Sequence, residues 1–194
     1  MIENMYNKVK ENRTMDNIGR HLNDIEEGMT LMDQDEVKHL VGLLRVVKDK
    51  QGTVYLFGNG GSHATAGHFA NDLMKICRIK AVCVGDMASA MMAWGNDTGW
   101  ENMFYGPLSE MVKWNDGLVG ISCSGNSDNV VRALRAGKDE WNVLTAALTG
   151  ISDANMVSSL GLDVVVHTHG VTDIRVQEDL HMMICHAVVR ELQG

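Results

Sequence analysis

Four groups of residues in this chain have types and spacings that could do chemistry. His68, Asp72 and Lys75 recur at i, i+4 and i+7, one row of a helix, so an imidazole and a carboxylate face the same side. Such a pair can move a proton or hold a metal ion. The second group is a turn of three glycines and a serine, Gly58, Gly60, Gly61 and Ser62, entered from the β-branched, apolar run Thr53 to Phe57. A strand, a glycine turn and then a helix aim the free N–H groups of the helix N-terminus at whatever sits in the turn, which suits an anion. The third group is Ser122-Cys-Ser-Gly-Asn-Ser127, again after a strand, Leu118 to Ile121. Hydroxyls and backbone N–H groups can bind a phosphate without a lysine, and Gly125 permits close backbone approach. The fourth is the last helical stretch, which carries Glu178, His181 and His186.

None of these is decisive alone. The Walker pattern needs a Lys-Ser/Thr pair where Ser62-His63 stands, and the dinucleotide fingerprint needs a glycine in place of His63. By itself the first turn reads equally as a tight connection with no ligand. Two such turns, both at strand C-terminal ends of one α/β domain, point to a phosphorylated ligand. Along the last helix Val176, Leu180, Met183, Ile184, Ala187 and Val188 make one apolar face, with Met182, Cys185 and Val189 opposite. A helix apolar nearly all round is buried on two sides. That predicts an oligomer interface with Glu178, His181 and His186 in or beside it, as a hydrogen-bond network or as site residues.

The elements that must position these groups follow from hydrophobic period. Residues 1–50 read as amphipathic helices, with stripes Ile18, Leu22, Ile25, Met29 and Val37, Leu40, Val41, Leu44, the second opened by a capping-box-like Asp33 and Glu36. They are predicted to serve oligomerisation. Residues 51–194 then alternate strands (53–57, 81–84, 118–121, 143–148, 163–166) with helices (from Ala64 behind Ser62 as N-cap, 87–93, through Val130 to Leu134, 153–160 and 173–192). That order means a parallel sheet with helices on both faces, in one domain spanning 1–194. Trp94, Trp100, Trp114 and Trp141 are assigned to core or interface. The net charge of −8 argues against a broad nucleic-acid or anionic-membrane footprint. Four scattered cysteines, no signal-peptide pattern and no long apolar span read as a reduced, cytoplasmic protein with no membrane partner.

The stretches GNGGSHATAGHFANDLMK at 58–75, Asn96-Asp97, SCSGNSDNVVRAL at 122–134 and VQEDLHMMICH at 176–186 together resemble the sugar isomerase (SIS) domain family, within it the phosphoheptose isomerases. The likeness covers nearly the whole chain. It implies a flavodoxin-like five-stranded parallel sheet with an N-terminal helical hairpin. It also implies a homotetramer with active sites between subunits. The phosphate would sit on Ser62, Ser122, Ser124 and Ser127, with Asn59 close by; Gly60 and Asp97 are further candidates for substrate contact, Asp97 equally a turn cap. The family's reaction interconverts a ketose and an aldose phosphate through an enediol, for example sedoheptulose 7-phosphate and a heptose 7-phosphate, and many members bind zinc.

Carried over by position, Asp72 is the base and His186 the second proton carrier, while His68, Asp72, Glu178 and His186 form the zinc set, with Glu178 also at the substrate. Two departures stand out. Asp72 replaces a glutamate, withdrawing the carboxylate by about 1.5 Å. The family's last-helix glutamine falls on Glu178 when aligned through His186 and on Gln177 when aligned through R-x-Q-E; the helix spacing favours Glu178. Glu178 and His186 lie about 12 Å apart along an ideal helix, so joint ligation needs the helix start to bend. A metal-bound Asp72 would also be a weaker base, so its two roles compete. The alternative to an isomerase is a non-catalytic SIS module that binds a phosphosugar or acts as a tetrameric interaction regulator; retention of Asp72 and His186 favours the enzyme.

Overall fold

A computed structural model describes residues 16–152 and 154–194. Two helices lead, α1 (Asn17–Thr30) and α2 (Gln34–Asp49). Then follow β1 (Thr53–Gly58), α3 (Gly61–Lys75), β2 (Lys80–Cys83), α4 (Ala88–Thr98), α5 (Tyr105–Met111), β3 (Gly117–Ser122) and α6 (Asp128–Asp139). The chain finishes with β4 (Leu144–Thr149), α7 (Met156–Ser159), β5 (Val164–His167) and α8 (Ile174–Gln193). The five strands pair in parallel in the order β2-β1-β3-β4-β5. This is the flavodoxin-like order, whose direction reverses between β1 and β3.

The strands alternate with period two, and each set of side chains has its own layer of helices. Val54, Leu56, Val119, Ile121, Ala146 and Leu148 face α2, α3 and α8 through Leu40, Leu44, Phe69, Leu73, Ile184 and Val188. Tyr55, Phe57, Leu118 and Ala147 face the other way, onto Phe104, Leu108, Val130 and Leu134 of the α5 and α6 layer. Burying a leucine- or phenylalanine-sized side chain is worth about 1.5–3 kcal/mol, so a one-residue slip in any strand would exchange both layers at once. The consequence for function is that α3 and α8 lie side by side on one face, while the turns after β1 and β3 meet at the switch point.

Several boundaries differ from those predicted. The helix after the first turn starts at Gly61, because Gly60, with φ of 55°, makes the turn; Ser62 is therefore a buried first-turn residue and not the cap. Asp33 caps α2 by accepting from the Asp35 amide (2.8 Å), but Glu36 does not close a capping box; its carboxylate accepts from the His167 amide instead (2.8 Å). The helix assigned to 153–160 is a single turn, Met156–Ser159, capped by Asn155, and Asp153 lies outside the described residues, as do residues 1–15 of the N-terminal segment. Helix α5 went unread because its seven residues include Pro107 and a glycine. Trp100 and Trp114 are exposed, so two of the four tryptophans are not core.

Candidate active site

The two turns enclose a cavity of about 170 Å³ lined by Asn59, Ser62, Ser122, Cys123, Ser124, Ser127, Ile174 and Glu178. Its loop is held by its own hydroxyls: Ser122 Oγ accepts from the Gly125 amide (3.2 Å) and donates to Ser127 Oγ (3.3 Å), and Ser124 Oγ accepts from the Asn126 amide (3.2 Å). Gly125, with φ of 64°, supplies the left-handed residue that such a turn needs. Ser127 is the residue before α6, so the N–H groups of that helix open onto the cavity. Asn59 and Asn129 exchange a reciprocal pair of amide hydrogen bonds, both 2.9 Å, that ties one turn to the other. Asn129 is fully buried, and sequence reasoning missed it; the signal was an amide where α6 otherwise turns Val130, Ala133 and Leu134 inward.

Glu178 reaches this cavity from α8. A Cβ on Gly61 would lie 2.2–2.3 Å from its carboxylate atoms, so Glu178 occupies space that a larger residue at 61 would make it leave. The N-terminus of α3 thus already faces one anionic group, which its dipole favours. The neighbouring Gln177 points the other way. It is fully buried, donates to the carbonyls of Thr168 (3.1 Å) and Val171 (2.6 Å), and accepts from the Thr168 hydroxyl. Of the two residues left open by alignment, Glu178 is the one at the cavity.

A second cluster forms where α3 meets α8. His68 Nε2 lies 3.0 Å from His186 Nε2 and 3.3 Å from Asp72 Oδ2. The two rings cross edge-to-face at 5.1 Å. Asp72 is mostly covered, whereas His68 is about half exposed, and its other oxygen accepts from Asn71 (3.1 Å). One ligand atom from each of His68, Asp72 and His186 falls within 4.8 Å of the others. Two imidazoles and a carboxylate are a known catalytic zinc donor set, and N···N or N···O edges near 3.3 Å are about those of a tetrahedral zinc site. The residues present therefore fit such an ion.

Of the expected four-residue metal set, His68, Asp72 and His186 come together within one chain, and Glu178 does not join them there. The reason is the straight helix: α8 runs unbroken from Ile174 to Gln193, so Glu178 stays more than two turns from His186. Asp97 is not brought to the cavity either; it sits in the last turn of α4 and accepts from the Asn96 amide (2.7 Å). Beneath the cavity Ser62 Oγ, Cys123 Sγ and His181 Nδ1 form a buried chain, at 3.8 Å and 4.0 Å. Burial lowers His181 to a pKa of about 4 and pushes the Cys123 thiol up. His181 is therefore a neutral packing residue under the site.

The SIS domain family model matches residues 18–150. A phosphoheptose isomerase from Enterobacter is 32% identical, over 92% of this chain and 96% of that protein. One from Helicobacter pylori is 34% identical, over 79% and 80%. Among solved structures, the phosphoheptose isomerase GmhA from Neisseria gonorrhoeae superposes with a TM-score of 0.82 at 27% identity, covering 90% of this chain and 94% of that one. The chain belongs to the SIS domain family and, within it, to the phosphoheptose isomerases.

Proposed function

We propose that the chain interconverts sedoheptulose 7-phosphate and an aldose heptose 7-phosphate, with Asp72 and His186 carrying the proton. The observation that bears most weight is the meeting of Asp72 with His68 and His186 beside a separate, serine-lined cavity. Isomerisation moves a proton between C1 and C2 through an enediol, so it needs a base at carbon and a proton carrier at the oxygens. Asp72, mostly shielded and oriented by Asn71 and His68, is the base. His186, exposed at the cluster's rim, relays the proton to oxygen. Ser122, Ser124, Ser127 and the α6 N-terminus receive the phosphate, with Ser62, Asn59 and the Gly60 turn closing the other side. Glu178, a carboxylate in that cavity, suits sugar hydroxyls as partners. A zinc ion held by His68, Asp72 and His186 would polarise the substrate's oxygens when bound.

The two halves of this machinery are far apart in one chain. Along α3, Asp72 follows Ser62 by ten residues, about 15 Å on an ideal helix and on a different side. A fully extended seven-carbon sugar phosphate spans about 10 Å at about 1.2 Å per bond. This supports active sites shared between subunits of a homotetramer, in which the phosphate cavity of one chain faces the Asp72 cluster of another. Exposed Ile18 and Leu22 on α1, and the apolar hollow of about 430 Å³ between Met29, Val41 and Met183, supply the surfaces to bury. Among the described residues no helix is long and apolar enough to cross a membrane, and the four cysteines are all free. Both fit the cytoplasmic placement we infer.

The test is turnover of sedoheptulose 7-phosphate followed by NMR in deuterium oxide. Deuterium at C2 of a new aldose, lost in Asp72→Asn, supports the reading. Absence of any aldose product with zinc-loaded and with chelated wild type rejects it.

A further inference from the structure

A second cluster lies outside the machinery just described. His63 follows Ser62 in the first turn of α3, Cys83 ends β2, and Asp86 lies in the 3-10 turn after it. Cys83 Sγ is 3.5 Å from His63 Nδ1, and Asp86 Oδ1 is 3.5 Å from His63 Nε2. One ligand atom from each of the three falls within 4.8 Å of the others. We propose that His63, Cys83 and Asp86 form a metal site for a thiophilic divalent cation, zinc by class, distinct from the His68–Asp72–His186 cluster.

Three features carry the assignment. The sulfur-to-nitrogen separation is about that expected across a tetrahedral zinc site with Zn–S about 2.3 Å and Zn–N about 2.05 Å. The backbone is cleared for this approach: a Cβ on Gly85 would lie 2.2 Å from His63 Nδ1, so glycine at 85 is what lets the ring reach the sulfur. Finally, the three side chains divide as a site open on one side would. Cys83 is 6% exposed and anchored in the sheet, whereas the side chains of His63 and Asp86 are 38% and 69% exposed, which leaves an outward position for water. Hydrogen bonds to His63 alone would hold Cys83 at Nδ1 and Asp86 at Nε2. A shared ion instead takes one ring nitrogen together with the sulfur and a carboxylate oxygen, and one such set of atoms lies within 4.8 Å of one another. His63 and His68 are five residues apart, about 7.5 Å along α3, so the two clusters do not share an ion. A cation here would tie the first turn of α3 to the end of β2, beside the Ser62 wall of the phosphate cavity.

Cobalt(II) titration of the chelator-stripped, reduced full chain tests this, because thiolate ligation gives a charge-transfer absorption that an all-nitrogen-and-oxygen cluster cannot. The band is expected in wild type and in His186→Ala, and is expected to vanish in Cys83→Ser with the far-ultraviolet circular dichroism unchanged. Asp86→Ala, at an exposed position that leaves the core intact, is expected to weaken cobalt binding at this band by about tenfold or more. No thiolate band in wild type, a band that survives in Cys83→Ser, or an unchanged affinity in Asp86→Ala would each overturn the three-ligand assignment.

Discussion

The serine-lined cavity and the histidine–aspartate cluster are built in opposite ways. The cavity is prepaid: its hydroxyls are held by the loop's own amides, its two turns are locked by the buried Asn59–Asn129 pair, and a helix N-terminus opens onto it. The cluster has short contacts but little cover, with His68 and His186 both exposed on one flank of the α3–α8 layer. Binding groups gain from rigidity and can be completed within one chain. Groups that move a proton need water excluded around them, and a single chain does not supply that here. The difference is what a site shared between subunits would leave on each isolated chain.

The sharpest way to break this division is at Asp72. Asp72→Asn should lower kcat for sedoheptulose 7-phosphate by about 10²–10⁴-fold, the range for a lost general base, with little change in KM. Steady-state kinetics would show it; a rise in KM at unchanged kcat would move Asp72 to the binding half. Ser124→Ala should do the reverse. Losing a hydrogen bond to a charged phosphate costs about 1.5–3 kcal/mol, so kcat/KM should drop about tenfold to a hundredfold, carried by KM.

Asn129→Ala probes the lock between the turns without touching the cluster. It leaves the Asn59 amide unpartnered, and denaturant unfolding should report a loss of about 1–3 kcal/mol. Isothermal binding of inorganic phosphate should weaken in step, while cobalt binding at the His68 cluster is unchanged.

The last effect concerns pH and reaches full size only in acid. His181 is neutral in the fold, with a pKa of about 4 against 6.5 in the unfolded chain. The unfolded state therefore binds the extra proton between those values, so stability is full above about pH 6.5 and declines as pH falls toward 4, by up to about 3 kcal/mol. Replacing His181 with Gln should flatten that part of the profile in urea titrations at stepped pH. Of its neighbours, His167 adds to the depression, because a charge there disfavours a second one, while the Thr149 backbone opposes it.

Most of the fold was legible in the chain. The period-two strands, the order of helices and the glycine turns gave the parallel sheet, because each is a local pattern with one burial solution. That Ser62 and Ser122 to Ser127 would gather at one place was legible for the same reason, since they lie at strand ends, and they line one cavity. What could not be read were pairings between distant segments. Asn129 looks like an ordinary first-turn polar residue until Asn59 is placed opposite it. Gln177 and Glu178 are adjacent in sequence, and only the direction of α8 sends one into the Thr168 loop and the other against Gly61. Three of the four expected metal ligands meet within one chain and Glu178 does not, because the helix from 174 to 193 is unbroken and keeps it more than two turns from His186.

Solvent deuterium incorporation into sedoheptulose 7-phosphate at saturating substrate, compared between Asp72→Asn and Ser124→Ala, tests the division of labour most directly. The account predicts exchange near the wild-type rate in Ser124→Ala and none above background in Asp72→Asn. Wild-type exchange in Asp72→Asn would contradict it, because the proton would then be leaving carbon for a group other than the carboxylate at the α3–α8 cluster.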